Sequence, residues 1–148
     1  MSERLDPEAY AAKMNEWARG TMVARNGTRF LRVGEGRAEA ELDFRPELTQ
    51  LTGLVHAGAI MALADETATA AAMWELNPSG VFDPARFPLT IQFSANLIGN
   101  QGSGKLVATA EILHRGRTTL VVEVRVHSGE GRLLARAVAT QLVPALSG

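Results

Sequence analysis

The spacing of apolar positions changes twice along this chain, and each change marks a new kind of element. Asp6 followed by Pro7 predicts a helix start, since an aspartate side chain caps free amides and proline suits the first turn. Tyr10, Met14 and Trp17 then recur at helical spacing and give this N-terminal helical extension, residues 1–20, one apolar stripe that reads as packing rather than as a cofactor site. After Gly27 the period falls to two. TRFLRV, the turn GEG and RAEAELDF predict a hairpin with Ala38, Ala40, Leu42 and Phe44 on one face.

Pro46 and Gly53 bracket a loop. HAGAIMALADETATAAAMWEL then runs without a breaker until Asn77, Pro78 and Gly80 stop it. Ala, Met, Leu and Ile lie on every side of this stretch, the pattern of a helix buried nearly all round. From Pro88 onward period two returns: Leu106, Ala108, Ala110 and Ile112 alternate with Val107, Thr109, Glu111 and Leu113. Leu120, Val122, Val124 and Val126 do the same with Val121, Glu123, Arg125 and His127, and RLLARAVATQLV closes the pattern. The short linkers HRGRTT and SGEG predict an antiparallel meander. With the hairpin, that makes about six strands around one buried helix, an α+β fold.

At 148 residues and 46% hydrophobic content the chain suits one domain, 1–148, with a core that needs no disulfide or structural metal. Lys and Arg are spread along it and the net charge is -1, which argues against nucleic acid as a partner. The absence of cysteine excludes a thiol nucleophile and a cysteine metal cluster. His114 and His127 form no metal-ligand spacing with each other or with His56, so no metal is expected. Asp65 and Glu66 interrupt the most apolar stretch, residues 57–73, which argues against a membrane span, and the charged amino terminus lacks a signal-peptide core. A cytoplasmic protein is expected.

Asp65 is the anomaly in the long helix. A carboxylate inside an apolar helix is costly to desolvate, and burial should raise its pKa toward the range of a general base. Thr69 stands one turn on, about 40° around the helix, where its hydroxyl could hold a water. The residues leave open a second reading, in which Asp65 and Glu66 reach the sheet edge and are solvated or ion-paired. The backbone amides around His56, Ala57 and Gly58 carry the positive end of the helix dipole and suit an oxyanion. Ala57 and Asp65 are eight residues apart, about 12 Å along one helix axis, so one reacting carbon cannot touch both. If both act on one substrate, they come from two chains of a symmetric dimer.

The segment QLTGLVHAGAIMALADETATA resembles the hotdog-fold acyl-CoA thioesterases, in particular the PaaI-like and 4-hydroxybenzoyl-CoA thioesterase branches. The family's amide residue, its His-Gly-Gly-like helix start six positions on and its acidic residue nine further on correspond to Gln50, to His56 with Ala57 and Gly58, and to Asp65. LTIQFSANLI, the HRGRTT turn and the glycine turn before RLLARAVAT also resemble the later strands. The likeness runs from about Phe30 to Val143. It implies a hotdog fold in which Asp65 is general base or nucleophile, the Ala57 amide polarises the thioester carbonyl, and Gln50 positions substrate or water. Thr69 and Thr90 match hydroxyl residues used in different branches. Gln50 stands where the PaaI-like branch has Asn, and Ala57 where the pattern has glycine, which calls for an ordinary φ there. His56 could orient Gln50 or the carbonyl, or cap the helix. Arg115 and Arg117 are candidates for the CoA phosphates.

The implied function is hydrolysis of an acyl-CoA thioester by a homodimer, with no cofactor since CoA is part of the substrate, and with dimers pairing into a dimer of dimers. A non-catalytic acyl-CoA binding module and a hotdog dehydratase or hydratase are the alternatives.

Overall fold

The computed structural model describes residues 3–144, and the ends of the expected 1–148 domain, residues 1–2 and 145–148, lie outside them. In chain order the elements are α1 (Pro7–Trp17), α2 (Met22–Asn26), β1 (Arg29–Gly34), β2 (Arg37–Asp43), α3 (Ala57–Leu76), β3 (Leu89–Leu97), β4 (Lys105–Arg115), β5 (Thr119–Ser128) and β6 (Leu133–Leu142). Short 3-10 turns at Pro46–Leu48 and Pro84–Arg86 sit in the loops on either side of α3.

The expected start of α1 is present: Asp6 accepts from the Ala9 amide at 2.9 Å. Tyr10 is fully buried, and its hydroxyl shares its one hydrogen between the carbonyls of Met73 and Asn77, 3.0 and 2.9 Å away, so α1 meets backbone groups at the end of α3. Burial pushes its phenol pKa up. The sequence pattern did not predict α2, whose five residues are too few to show a period. Gly27, at φ 91°, ends it, and the Arg45 guanidinium donates to the Asn26 and Arg25 carbonyls at 2.9 and 2.8 Å. Glu35 and Gly36, both at positive φ, make the tight turn between β1 and β2.

All strand pairs are antiparallel, in the order β1-β2-β4-β5-β6-β3. The expected meander is β4-β5-β6. Strands β4, β5 and β6 follow one another, but β3 crosses to the far edge beside β6 instead of pairing with β4. The inward faces carry Ala38, Ala40 and Leu42, then Ala108 and Ala110, then Val122, Val124 and Val126, then Ala135, Ala137 and Ala139, all buried against a core that includes α3. Small side chains let the sheet curl closely around the helix, which is the hotdog fold.

Two exposures differ from a helix buried all round. Residues Ala70 to Trp74 are buried, but in the first half of α3 Met61 is exposed and Gly58, Ala62, Asp65, Glu66 and Thr69 are half-buried. A six-stranded sheet covers only part of the helix circumference, and this stripe is what it leaves uncovered. Strand β3 is paired on one side only, and Leu89, Ile91, Leu97 and Ile98 on or beside it are 52, 56, 45 and 61% exposed. Among the described residues, no helix is long and apolar enough to cross a membrane.

Candidate active site

Asp65 sits midway along α3 on the uncovered stripe, and its Oδ1 accepts a 2.7 Å hydrogen bond from the Thr90 hydroxyl. Thr90 reaches it because of an irregularity in β3. Phe93 pairs with Ala139 and Gln92 with Thr140, but the next pair on β6, Gln141, is met by Thr90 rather than Ile91. Ile91 is the extra residue of a bulge. Simple alternation from Phe93 would turn Ile91 inward; the bulge turns Thr90 inward instead, onto the face shared by Ala139 and Gln141.

Gln141 itself is fully buried, and its amide nitrogen donates to Thr90 Oγ1 at 2.9 Å and to Thr69 Oγ1 at 3.3 Å. Asp65, Thr69 and Thr90 are thus brought together by a residue that the motif did not single out. Alternation along β6 could have found it: Ala135, Ala137, Ala139 and Gln141 share the inward face, and a glutamine after three alanines is out of place.

Burial acts visibly on the residue next to Asp65. Glu66 is pushed up to about 7, chiefly by desolvation. A hydrogen bond from the Thr28 hydroxyl opposes the rise, the Asp65 charge adds to it, and a hydrogen bond from Asn26 opposes it.

Asp65, Glu66, Thr69 and Thr90 line one cavity of about 520 Å³. Its remaining wall is almost wholly apolar, with Met14 and Trp17 from α1, Val23 from α2, Phe30 from β1, Met73 from α3 and Leu89 from β3. The apolar stripe of α1 therefore divides its roles: Tyr10 packs in the core, while Met14 and Trp17 also face the cavity. Phe82 and Phe87 close the wall, with Phe82 5.4 Å from Trp17 and 6.2 Å from Phe87 between ring centroids. A slot of this size, apolar with a few polar groups at one side, suits a small organic group.

At the start of α3 the geometry narrows the expected set of free amides to one. The His56 amide donates to the Leu48 carbonyl at 2.7 Å, and the Gly58 amide donates to His56 Nδ1 at 2.8 Å. The His56 carbonyl takes the amides of Ala59 and Ile60. Among the described residues, only the Ala57 amide of this turn is left without an acceptor. His56 is the cap, and Gly58 permits it, since a Cβ there would stand 2.9 Å from His56 Nδ1. Ala57 has no positive φ, as its side chain requires.

Gln50 lies in the exposed turn before the helix, where its backbone N–H donates to the Leu54 carbonyl at 2.8 Å. Gln50, His56, Ala57 and Gly58 are not among the residues lining the cavity. Arg115 is not free to meet an anion unopposed, because Glu75 lies 2.9 Å from its guanidinium. Arg117 is exposed in the turn after β4 and has no ion pair among the described residues.

The thioesterase superfamily model matches residues 52–135. The chain is 34% identical over 110 residues to a candidate esterase of Mycobacterium tuberculosis, covering 74% of this chain and 76% of that one. The solved structure of that protein superposes with a TM-score of 0.78 at 30% identity, over 86% of this chain and 98% of the other. Similarity extends to the proofreading thioesterase EntH of Klebsiella pneumoniae, at 31% identity over 125 residues, 84% of this chain and 87% of that one. The 1,4-dihydroxy-2-naphthoyl-CoA hydrolase of Listeria monocytogenes is 26% identical over 108 residues, 73% and 83% of the two chains.

Proposed function

The chain belongs to the thioesterase superfamily, and on that premise we propose that it hydrolyses acyl-CoA thioesters to free acid and CoA as a homodimer, without a cofactor. The observation that carries this reading is the division of the site. Asp65 faces the apolar cavity with Thr69 and Thr90, while the unpartnered Ala57 amide stands about 12 Å up the same helix. Two copies of α3 side by side would bring one chain's carboxylate to the other's amide.

Two surfaces support such pairing. The uncovered stripe of α3 carries small or apolar residues around Asp65, namely Gly58, Met61 and Ala62. Beside it runs the unpaired edge of β3, with apolar residues exposed along it, an arrangement that invites a second strand. A CoA hydrolase among the relatives favours CoA as the thiol.

In the reaction, the acyl group occupies the cavity and the thioester carbonyl oxygen accepts from the partner's helix start. Asp65 takes a proton from water as the water oxygen bonds to the carbonyl carbon; in the alternative course, an Asp65 oxygen attacks first and water resolves the anhydride. Either way, negative charge develops on the carbonyl oxygen, where the Ala57 amide and the helix dipole stabilise it. Collapse breaks the carbon–sulfur bond, and the CoA thiolate leaves and takes up a proton. Gln50 beside the helix start positions the thioester or the water, and Arg117 and Arg115 offer cations to the CoA phosphates, Arg115 in competition with Glu75.

The test is Asp65→Asn, assayed for free thiol release across a panel of acyl-CoA substrates. Turnover should fall by at least about a thousandfold while the fold and dimer persist. A variant that hydrolyses a good substrate at the wild-type rate would remove Asp65 from the mechanism.

A further inference from the structure

Gln141 places a long polar side chain on a strand face that otherwise presents alanine methyl groups to α3, and it is 0% exposed. Such a residue is expensive to keep for packing alone, and here one of its groups goes unmatched: Oε1 is buried without a hydrogen-bond partner. Its Nε2, by contrast, spans two elements, meeting Thr90 Oγ1 on β3 at 2.9 Å and Thr69 Oγ1 on α3 at 3.3 Å.

The direction of these bonds has consequences for the hydroxyls. Each hydroxyl owns one hydrogen, and each receives one from the Gln141 amide. Thr90 must then give its own hydrogen elsewhere, and Asp65 Oδ1 lies 2.7 Å away. Thr69, filled from behind in the same way, directs its hydrogen away from Gln141, and its side chain lines the cavity. Asp65 Oδ1 is thereby occupied, which leaves Oδ2 as the oxygen open to water or to the thioester carbon. Gln141 does not itself line the cavity.

We infer that Gln141 is a positioning residue, acting from behind the cavity wall to fix Thr90 as the donor that holds Asp65 and Thr69 as a donor toward the substrate. This rests on Asp65 being the working carboxylate. Its role is to set the direction of two hydroxyl hydrogens, which packing alone would not require.

The experiment compares steady-state thioester hydrolysis by the wild type, Gln141→Met, Gln141→Glu, Thr90→Val and the Gln141→Met/Thr90→Val pair, with Asp65→Asn alongside. Methionine keeps the shape and loses the donors; glutamate keeps the shape and accepts where glutamine gave. Both should lower kcat about tenfold or more with KM within about twofold, the loss of hydrogen bonds made to a charged group's partner. Adding Thr90→Val to Gln141→Met should cost less than about twofold more, because both act through one relay. Wild-type kcat in either Gln141 variant, a loss expressed in KM alone, or multiplicative losses in the double variant would each overturn the inference. If Gln141→Met fails to fold, Gln141→Glu and Thr90→Val carry the same comparison of kcat with KM. An active Asp65→Asn overturns the site assignment itself, whereas an inactive one beside normal Gln141 variants overturns only the positioning role.

Discussion

Thr90 Oγ1 donates to Asp65 Oδ1 across 2.7 Å, joining the edge strand β3 to the long helix at the wall of the apolar cavity. The bond fixes the carboxylate that the proposed reaction uses, and it exists because a bulge at Ile91 brings Thr90 to the inward face. Thr90→Val keeps the shape and removes the donor. Its kcat should fall about tenfold, in line with loss of a hydrogen bond to a charged group, while Thr90→Ser should retain most of the activity. Thiol-release kinetics on the two variants checks this, and equal rates for valine and serine would show that the hydroxyl does not matter.

Glu66 makes stability depend on pH in a direction opposite to that of an ion-paired carboxylate. Its pKa is about 7 in the fold against an ordinary 4.5, so between these values the folded protein binds more protons than the unfolded chain. Stability should therefore be highest, as far as this group is concerned, below about pH 4.5, should fall as the pH rises toward 7, and should change little above it. The cost of the ionised form is of order 3 kcal/mol. Glu66→Gln carries no charge at any pH and can still accept from Thr28. Urea unfolding at pH 5 and pH 8 should show the variant gaining on the wild type at the higher pH, and a gain that is the same at both would remove Glu66 as the cause.

On the proposed reaction, the apolar wall sets which acyl groups fit. Val23 on α2 lines the cavity, and Val23→Phe would fill part of its roughly 520 Å³. Long or aromatic acyl-CoA substrates should lose about tenfold or more in kcat/KM, the effect of a methylene or two on fit, with acetyl-CoA little changed. A uniform loss across the panel would indicate that the acyl group lies elsewhere.

Much of this was legible in the residues, for reasons that differ from element to element. The breaker-free run that ends at Asn77, Pro78 and Gly80 gave α3 its bounds, since helix caps and stops are local chemistry. Alternation marked β4, β5 and β6, but it carries no information on which edge a strand joins, so the crossing of β3 to β6 stayed hidden. The role of Thr90 in the cluster was hidden for a related reason: a bulge of one residue reverses the face of everything beyond it. Gln141 left a mark, a glutamine in register with three alanines, that a search for helix motifs passes over. The raised pKa of Glu66 depends on Thr28, Asn26 and the walls of the cavity, which come from distant segments. Spacing along α3 did place Asp65 and Ala57 about 12 Å apart along the helix axis.

That separation yields the most direct test of the dimer. Ala57 is the first residue of α3, a position where proline is well tolerated, and His56 before it has φ -64° and ψ 135°, the extended conformation that precedes proline readily. Ala57→Pro therefore removes the free amide hydrogen with little expected change in the backbone. The variant should lose about a hundredfold in kcat or more, as when an oxyanion donor is deleted. Asp65→Asn, in turn, keeps the amide and loses the carboxylate. In a mixed dimer of the two variants, one site receives both lesions, and the other combines the intact Asp65 of the Ala57→Pro chain with the intact amide of the Asp65→Asn chain. If each site is shared, unfolding and refolding equal amounts of the two inactive proteins together should restore activity, to about a quarter of the wild-type level for random pairing, because half of the dimers are mixed and each has one working site. If each site lies within one subunit, no pairing assembles an intact set and no activity returns.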